Sequence, residues 1–425
     1  MFKKVSGKIL LIALLILGAS FIGIAPNLDQ IFSTDNAVHA EKDNGDLMKE
    51  QPQEQLDSQF IAANQEFAFK LFSEILNKND QKNVFISPTS ISLALSLLYN
   101  GASGETQQEM QRALQFTGID LEDINSQQKI LQKLLQNQPE SELSIANSLW
   151  IRQNFPIKSD FINSNQKYYQ AKVEELDFDQ PETLSIINNW VSDSTQGKIE
   201  QIIDQISPDD VLFLINAIYF KGAWQSPFDP EFTEEKPFTL ASGEIINRPL
   251  MVNGGYFAYL ENDDLQMIGL PYGESGDLIM YVILPQKDSS LEHLSSQLNP
   301  ENWRKWLGEL RSQEGTIFLP KFTLEYEVVL NDILQSLGME KAFNNQADFS
   351  SLTDEPVEVN QVKHKTFVDV SEEGTEAAAV TSIGVRVTSM PVDPPFEMMV
   401  NRPFFYAIYD QETENILFMG NVNEL

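Results

Sequence analysis

The chain has 425 residues, 42% of them hydrophobic, enough to bury a large core in one big domain or two ordinary ones. Its 62 acidic residues against 29 basic ones leave a formal charge of -33, which repels phosphate backbones and anionic membranes and argues against nucleic acid as a partner. There is no cysteine, so disulfides, thiolate chemistry and cysteine zinc sites are excluded and stability rests on packing alone.

At the N-terminus Lys3, Lys4 and Lys8 precede an uncharged run from Ile9 to Ala25 and then Ala37-Val38-His39-Ala40. This is the layout of a secretory signal over residues 1–40, cleaved after Ala40; the apolar run is also long enough to be an uncleaved anchor. Either way the folded part lies outside the cytoplasm. Residues 41–58 (EKDNGDLMKEQPQEQLDS) are polar and acidic and read as a flexible tether.

From residue 59 the pattern turns helical, with Phe67, Leu71 and Ile75 recurring at spacing four beside Ala68, Phe72 and Leu76. A second helix starts at Ser87, a good N-cap, followed by Pro88 in the first helical position; Gly101 suits its end. Helical signals continue to about residue 200, broken by a strand-like LSIANSLWI at 143–151. Then the composition shifts. VLFLINAIYF at 211–220 predicts a central strand buried on both faces, and further strands follow at 278–285, 315–326 and the C-terminal FFYAIYD and NILFMGNV. No repeat or linker interrupts residues 59–425, and helices first with strands later predict an α+β fold.

Catalytic motifs are missing. The chain has three histidines, His39, His293 and His364, too few and too scattered for a zinc cluster. A Ser-His-Asp triad on His293 or His364 has no G-x-S-x-G elbow to support it, and no phosphate-binding glycine loop occurs. The acidic run Glu261-Asn262-Asp263-Asp264 lacks the ligand spacing of a calcium loop and reads as a solvated turn.

One segment remains unexplained: EEGTEAAAVTSIGVRVTSMPVDPP from Glu372 to Pro395, between two strand-like stretches. If extended, one face carries Thr375, Ala377, Ala379, Thr381, Ile383, Val385 and Val387, all small or β-branched and none charged. The other carries Glu376, Ala378, Val380, Ser382, Gly384, Arg386 and Thr388, and so holds both charges. Gly374 offers hinge freedom, and Pro391, Pro394 and Pro395 keep the far end extended. Such a segment suits both an exposed loop and a sheet strand. A dozen or so new ladder hydrogen bonds at about 0.5–1.5 kcal/mol each would drive a large rearrangement, of order 10 kcal/mol before entropy.

At this loop the chain resembles the serpins. EEGTEAAA from Glu372 to Ala379 is similar to the family hinge, here Glu373, Gly374, Thr375, Glu376, Ala377, Ala378 and Ala379. Asn83-Val-Phe-Ile-Ser87-Pro88-Thr-Ser90-Ile, Ile187-Asn188-Asn189-Trp190-Val191 with Thr195-Gln196-Gly197-Lys198-Ile199, Asn216 to Trp224, Asn401-Arg402-Pro403-Phe404 and Leu417 to Gly420 match further family blocks in order. The likeness spans residues 59–425 and implies a three-sheet body with eight or nine helices and an exposed reactive-centre loop at about 372–396. It also implies that Ser87, Ser90, Asn216 and His364 form a polar cluster beneath the opening of the central sheet, and that Trp224 lies where the loop goes in.

The function so implied is suicide-substrate inhibition of a serine protease, without enzyme activity, cofactor or metal. The protease forms an acyl-enzyme with the loop, which inserts and carries it away before water releases it. Family spacing from Gly374 puts the reactive bond between Thr388 and Ser389, which suits an elastase-like or subtilisin-like target; Arg386, which would suit a trypsin-like one, and Met390 are the alternatives. Two other readings stand beside it: a non-inhibitory serpin acting as carrier, chaperone or storage protein, and an inhibitor of cysteine proteases. The hinge from Gly374 to Ala379 has no proline or bulky residue, which favours inhibition. The helical region 121–136 lacks a basic cluster, so no glycosaminoglycan activator is expected; a monomer is expected, and the simple signal resembles that of a secreted bacterial member.

Overall fold

The computed structural model describes residues 55–78, 82–136, 141–375 and 394–425. In chain order these form α1 (Ser58–Asn77), β1 (Val84–Ile86), α2 (Pro88–Tyr99), α3 (Gly104–Ala113), α4 (Leu121–Gln136), β2 (Ser141–Arg152), α5 (Ser159–Tyr169), β3 (Lys172–Leu176), α6 (Glu182–Ser194) and β4 (Leu212–Ala223). There follow β5 (Glu234–Thr239), β6 (Ile245–Glu261), β7 (Leu265–Pro271), β8 (Leu278–Pro285), α7 (Leu291–Gln297), α8 (Pro300–Glu309), β9 (Arg311–Pro320), β10 (Phe322–Val329) and α9 (Asn331–Ser336). The chain closes with β11 (Lys363–Val370), β12 (Gly374–Thr375), β13 (Phe396–Met399), β14 (Phe404–Asp410) and β15 (Asn415–Val422). The expected α+β class is met. Among the described residues no helix is long and apolar enough to cross a membrane, and the run Ile9–Ala25 lies outside them.

The helix starts follow local chemistry. Asp57 accepts the N–H of Gln59 at 2.7 Å and caps α1, so the last residues of the polar run 41–58 belong to the folded body. The Ser87 hydroxyl accepts the N–H of Ser90 at 3.2 Å ahead of Pro88, and α2 is buried along nearly its whole length. The strand expected at 315–326 is in fact two: β9 ends at Pro320, and after Lys321 the chain crosses into a different sheet as β10. Helical signals also hid β3, whose Lys172, Glu174 and Glu175 leave little apolar pattern.

The central sheet has the order β10–β11–β12–β4–β2–β3, antiparallel except for the parallel β2/β3 pair. The other strands run β1–β15–β14–β8–β7–β6–β9–β13, with β5 on β6. The 17-residue β6 serves two sheets: Leu250–Tyr259 pair with β9, whereas Ala258–Glu261 pair with β7. Among the described residues hydrogen bonding thus links these strands into one nine-stranded sheet beside the six-stranded central one, and dividing the larger at β6 gives the three-sheet count that the resemblance implied. β1 and β15 pair across nearly the whole chain, Val84 opposite Asn421.

β4 faces two cores. Ile218 and Phe220 point into the main core with α1, α2 and β14, whereas Ile215 and Ala217 pack under Ile187 and Val191 of α6. Its even-numbered residues therefore mark the inner face of the central sheet.

Candidate functional site

Two strands of the central sheet frame a gap. β12 is two residues long, yet the strands on either side, β4 and β11, run on from Gly222 to Leu212 and from Val370 to Lys363. Among the described residues nothing fills the space between them past Thr375. A cavity of about 490 Å³ opens there, lined by Ser90, Ile91 and Leu95 of α2, Leu214 and Asn216 of β4, and His364 of β11.

The mouth of the gap is tightly built. Ser371 and Gly374 exchange backbone hydrogen bonds at 2.9 and 3.3 Å, turning the chain from β11 into β12. The backbone N–H of Trp224 donates to Glu373 O at 3.0 Å, its indole Nε1–H donates to Ser371 O at 2.9 Å, and its ring stacks on Tyr272 at 4.5 Å. The Tyr272 hydroxyl lies 2.7 Å from Thr375 Oγ1. Burial pushes the Tyr272 phenol up, against the opposing effect of the Thr375 hydrogen bond, so it stays protonated.

Glu372 anchors the turn. Its carboxylate accepts from Lys321 Nζ at 2.7 Å and Thr233 Oγ1 at 2.8 Å, and its carbonyl accepts the N–H of Phe228 at 2.9 Å. Burial works against its charge, but the Lys321 ammonium and the hydrogen bonds outweigh it and hold the carboxyl below the usual range. Gly374 lies at φ 150°, and a Cβ there would run into the Gly222 carbonyl and come within 2.8 Å of Ala223 Cα.

Further down, the structure brings together Ser87, Ser90, Asn216 and His364. His364 Nε2 accepts the backbone N–H of Ser87 at 3.0 Å, and Ser90 Oγ donates to Asn216 Oδ1. Asn216 Nδ2 donates onward to Asn147 Oδ1 at 2.8 Å. Burial pushes His364 down to about 3, which matches its acceptor role. Trp224 sits apart from this group, at the mouth. The other histidine within the described residues, His293, is on α7 with Nε2 2.8 Å from Gln297 Nε2. The run Glu261–Asp264 forms the turn between β6 and β7, where Asn262 Oδ1 accepts from the N–H groups of Asp264 and Leu265.

Glu373, Gly374 and Thr375 of the hinge are in place; Glu376, Ala377, Ala378 and Ala379, the bond Thr388–Ser389 and the alternatives Arg386 and Met390 lie outside the described residues. Sequence reading missed Tyr272, Lys321 and Asn147. Lys321 carried one weak signal, a lone cation just past a proline inside an apolar run.

Comparison with known proteins agrees with this architecture. The family described as Serpin (serine protease inhibitor) matches residues 62–425. An uncharacterized serpin-like protein of Methanosarcina mazei is 34% identical over 376 residues, covering 85% of this chain and 86% of that one. The thermophilic serpin tengpin in its native state superposes with a TM-score of 0.80 at 34% identity, covering 88% of this chain and 96% of that chain. Thyroxine-binding globulin in complex with thyroxine superposes with a TM-score of 0.77 at 28% identity, covering 86% and 98%. A match over nearly the whole folded body, with the hinge seated at the mouth of a gap in the central sheet, makes this chain a member of the serpin family.

Proposed function

We propose that the chain is a suicide-substrate inhibitor of extracellular serine proteases, which it traps by letting its loop be cut and inserting the cut end into the central sheet. The observation that carries this reading is the seat of Gly374–Thr375, paired with β4 on one side and β11 on the other at the top of a gap that no other described residue fills. Each further step along the loop is one step back along each neighbour. Residues 376–385 would then face Lys221 to Leu212 of β4, and 376–382 would face Asp369 to Lys363 of β11.

Side-chain chemistry fits that path. Thr375 is opposite Gly222 on the inner face, so Ala377 would meet Phe220, Ala379 would meet Ile218, and Thr381 would arrive between Asn216 and His364. Small residues fall where aromatic and branched ones already fill the core, and a hydroxyl falls at the polar cluster. Glu376 would point outward beside Lys221.

In the reaction the protease serine oxygen attacks the Thr388 carbonyl, the Thr388–Ser389 C–N bond breaks, and the Ser389 amine leaves with a proton. The loop is then an ester of the protease, and insertion drags that ester across the molecule. Catalytic geometry tolerates displacements of only about 1 Å, so hydrolysis of the ester stalls. A small residue at the cut favours an elastase-like or subtilisin-like target over a trypsin-like one acting at Arg386. The signal-like N-terminus places the protein outside the cytoplasm, and we assign it as a monomer.

The test is to mix the protein separately with pancreatic elastase, subtilisin and trypsin and examine the products by denaturing gel and mass spectrometry. A denaturation-resistant complex with release of a peptide beginning at Ser389 is expected. A peptide beginning at Val387 would move the cut to Arg386. Cleavage with the protease left fully active would replace inhibition by a carrier or chaperone role.

A further inference from the structure

The polar cluster does not end at the gap. Asn147 of β2 stands directly opposite Asn216 of β4 and continues the line: Asn147 Nδ2 donates to Gln132 Oε1 of α4 at 3.0 Å and to Tyr169 O at 2.9 Å. Gln132 Nε2 donates to the backbone carbonyls of Gln128 at 3.0 Å and Tyr168 at 3.2 Å. From Ser90 to α4 every amide accepts from the side chain before it and donates to the next acceptor, so one direction of donation fixes how each amide is turned. Asn147 and Gln132 are buried, where such a chain is strengthened by mutual polarisation and an unpaired member is costly.

The line crosses a mechanical boundary. β12 holds β4 and β11 one strand apart at the mouth; for the strand to run on past Thr375, β4 with β2 and β3 must keep that separation from β11 with β10 along their whole length, about 4.8 Å on either side of the entering strand. α2 lies beneath this sheet and also packs on α1 and β15. α4 is fastened to α2: Gln128 Nε2 donates to Ser92 Oγ at 3.3 Å and Ser96 Oγ at 3.1 Å, and Asn125 Nδ2 donates to Asn100 Oδ1 at 2.8 Å. The Ser90–Asn216 bond joins the helices to the moving half at the gap itself. The Gln132–Asn147 bond joins them again one strand farther out.

We propose that Gln132 is a positioning residue of the insertion step: through Asn147 it turns the Asn216 amide toward Ser90 and clasps the β4–β2–β3 half of the sheet to the helices. This inference rests on the insertion reading given above. Releasing the clasp lowers the barrier to opening, so a native molecule lacking it swallows its own uncut loop sooner.

The test compares native protein, Gln132→Met, Asn147→Ala and the double variant. The measured quantity is the rate at which trapping capacity is lost on incubation at a fixed temperature below unfolding. Gln65→Met is the matched control, since it removes a buried glutamine's hydrogen bond, to the Glu414 carbonyl at 2.9 Å, away from α4 and off the line to Asn216. Either single variant should lose capacity about two- to tenfold faster than native protein, the rate equivalent of one neutral buried hydrogen bond. The double variant should be no faster than the faster single one, because both remove the same link. Asn147→Ala tests the clasp alone should Gln132→Met not fold. Rates equal to that of Gln65→Met, or single effects that simply multiply, overturn the proposal while insertion stands. A native protein that traps no protease removes both.

Discussion

The Thr375 hydroxyl and the Tyr272 phenol lie 2.7 Å apart, buried at the mouth of the gap between β4 and β11. On the insertion reading this contact would set which face of the loop turns inward, because Thr375 is the first of the uncharged alternate residues and in an extended strand every second residue after it would share its side.

Parity gives a direct prediction. Ala379→Arg would send a guanidinium toward Ile218 in the core, at a cost of several kcal/mol for an unpaired buried charge. Glu376→Arg would leave it on the outer face. The first variant should be cut as a substrate without forming a complex, whereas the second should still trap. Gels of both against the same protease decide it, and complex formation by Ala379→Arg would refute the register.

Gly374 tests the seat itself. A Cβ there collides with the backbone of Gly222 and Ala223 at a φ disfavoured for other residues. Gly374→Ala should unseat β12 and raise several-fold the number of inhibitor molecules consumed per protease trapped. Cutting of the loop should continue. An unchanged ratio would mean that β12 is not needed for trapping.

The Glu372–Lys321 pair should respond to acid. The folded carboxyl titrates below its unfolded value, so its contribution is fully present above the ordinary carboxylate range, near pH 4.5, and is lost as pH falls through the depressed folded value. Lys321→Met should remove about 1–2 kcal/mol at neutral pH, less than a fully buried pair because Lys321 is 40% exposed. Calorimetry of native protein and Lys321→Met from pH 3 to pH 7 should show the two curves converging at the acid end. Parallel curves count against the pair.

His364 acts over a higher window. Unfolded, its imidazole takes a proton near pH 6.5; folded, only near 3. Between those values the unfolded chain holds the extra proton, so this group makes stability rise with pH by up to about 1.4 kcal/mol per unit. Asp410 opposes it, since burial raises that carboxyl to about 6 and the unfolded chain holds fewer protons there. The comparison is therefore of slopes: His364→Asn should flatten the rise between pH 4 and pH 6 relative to native protein. An equal slope would show that His364 is not held neutral.

Much of this was legible in the sequence because local rules and burial agree. Ser87 and Pro88 start a helix by capping chemistry alone, residues 121–136 are α4, and the apolar run 211–220 lies within β4 from Leu212 on, covered on both faces as expected. β5 and β6 were not legible: one side faces solvent, Gly254 and Gly255 interrupt the alternation, and Pro237 and Pro249 argue against strands. The line from Ser90 to Gln132 left no trace either. Asparagine and glutamine are ordinary surface residues, and only the fold shows that Asn147 and Gln132 are inside.

The β1–β15 pairing has a consequence for synthesis. Phe85 stacks on Phe418 at 5.4 Å, and Asn423 Nδ2 donates to Lys82 O across 341 positions of chain. β1 thus waits for a strand some 340 positions later before its partner exists. Until then its hydrophobic edge is open, and contacts this distant in sequence form slowly. A nascent chain without β15 leaves both β1 and β14 lacking a neighbour in that sheet, and the main core, to which Ile416, Phe418 and Met419 contribute, cannot close until that strand arrives.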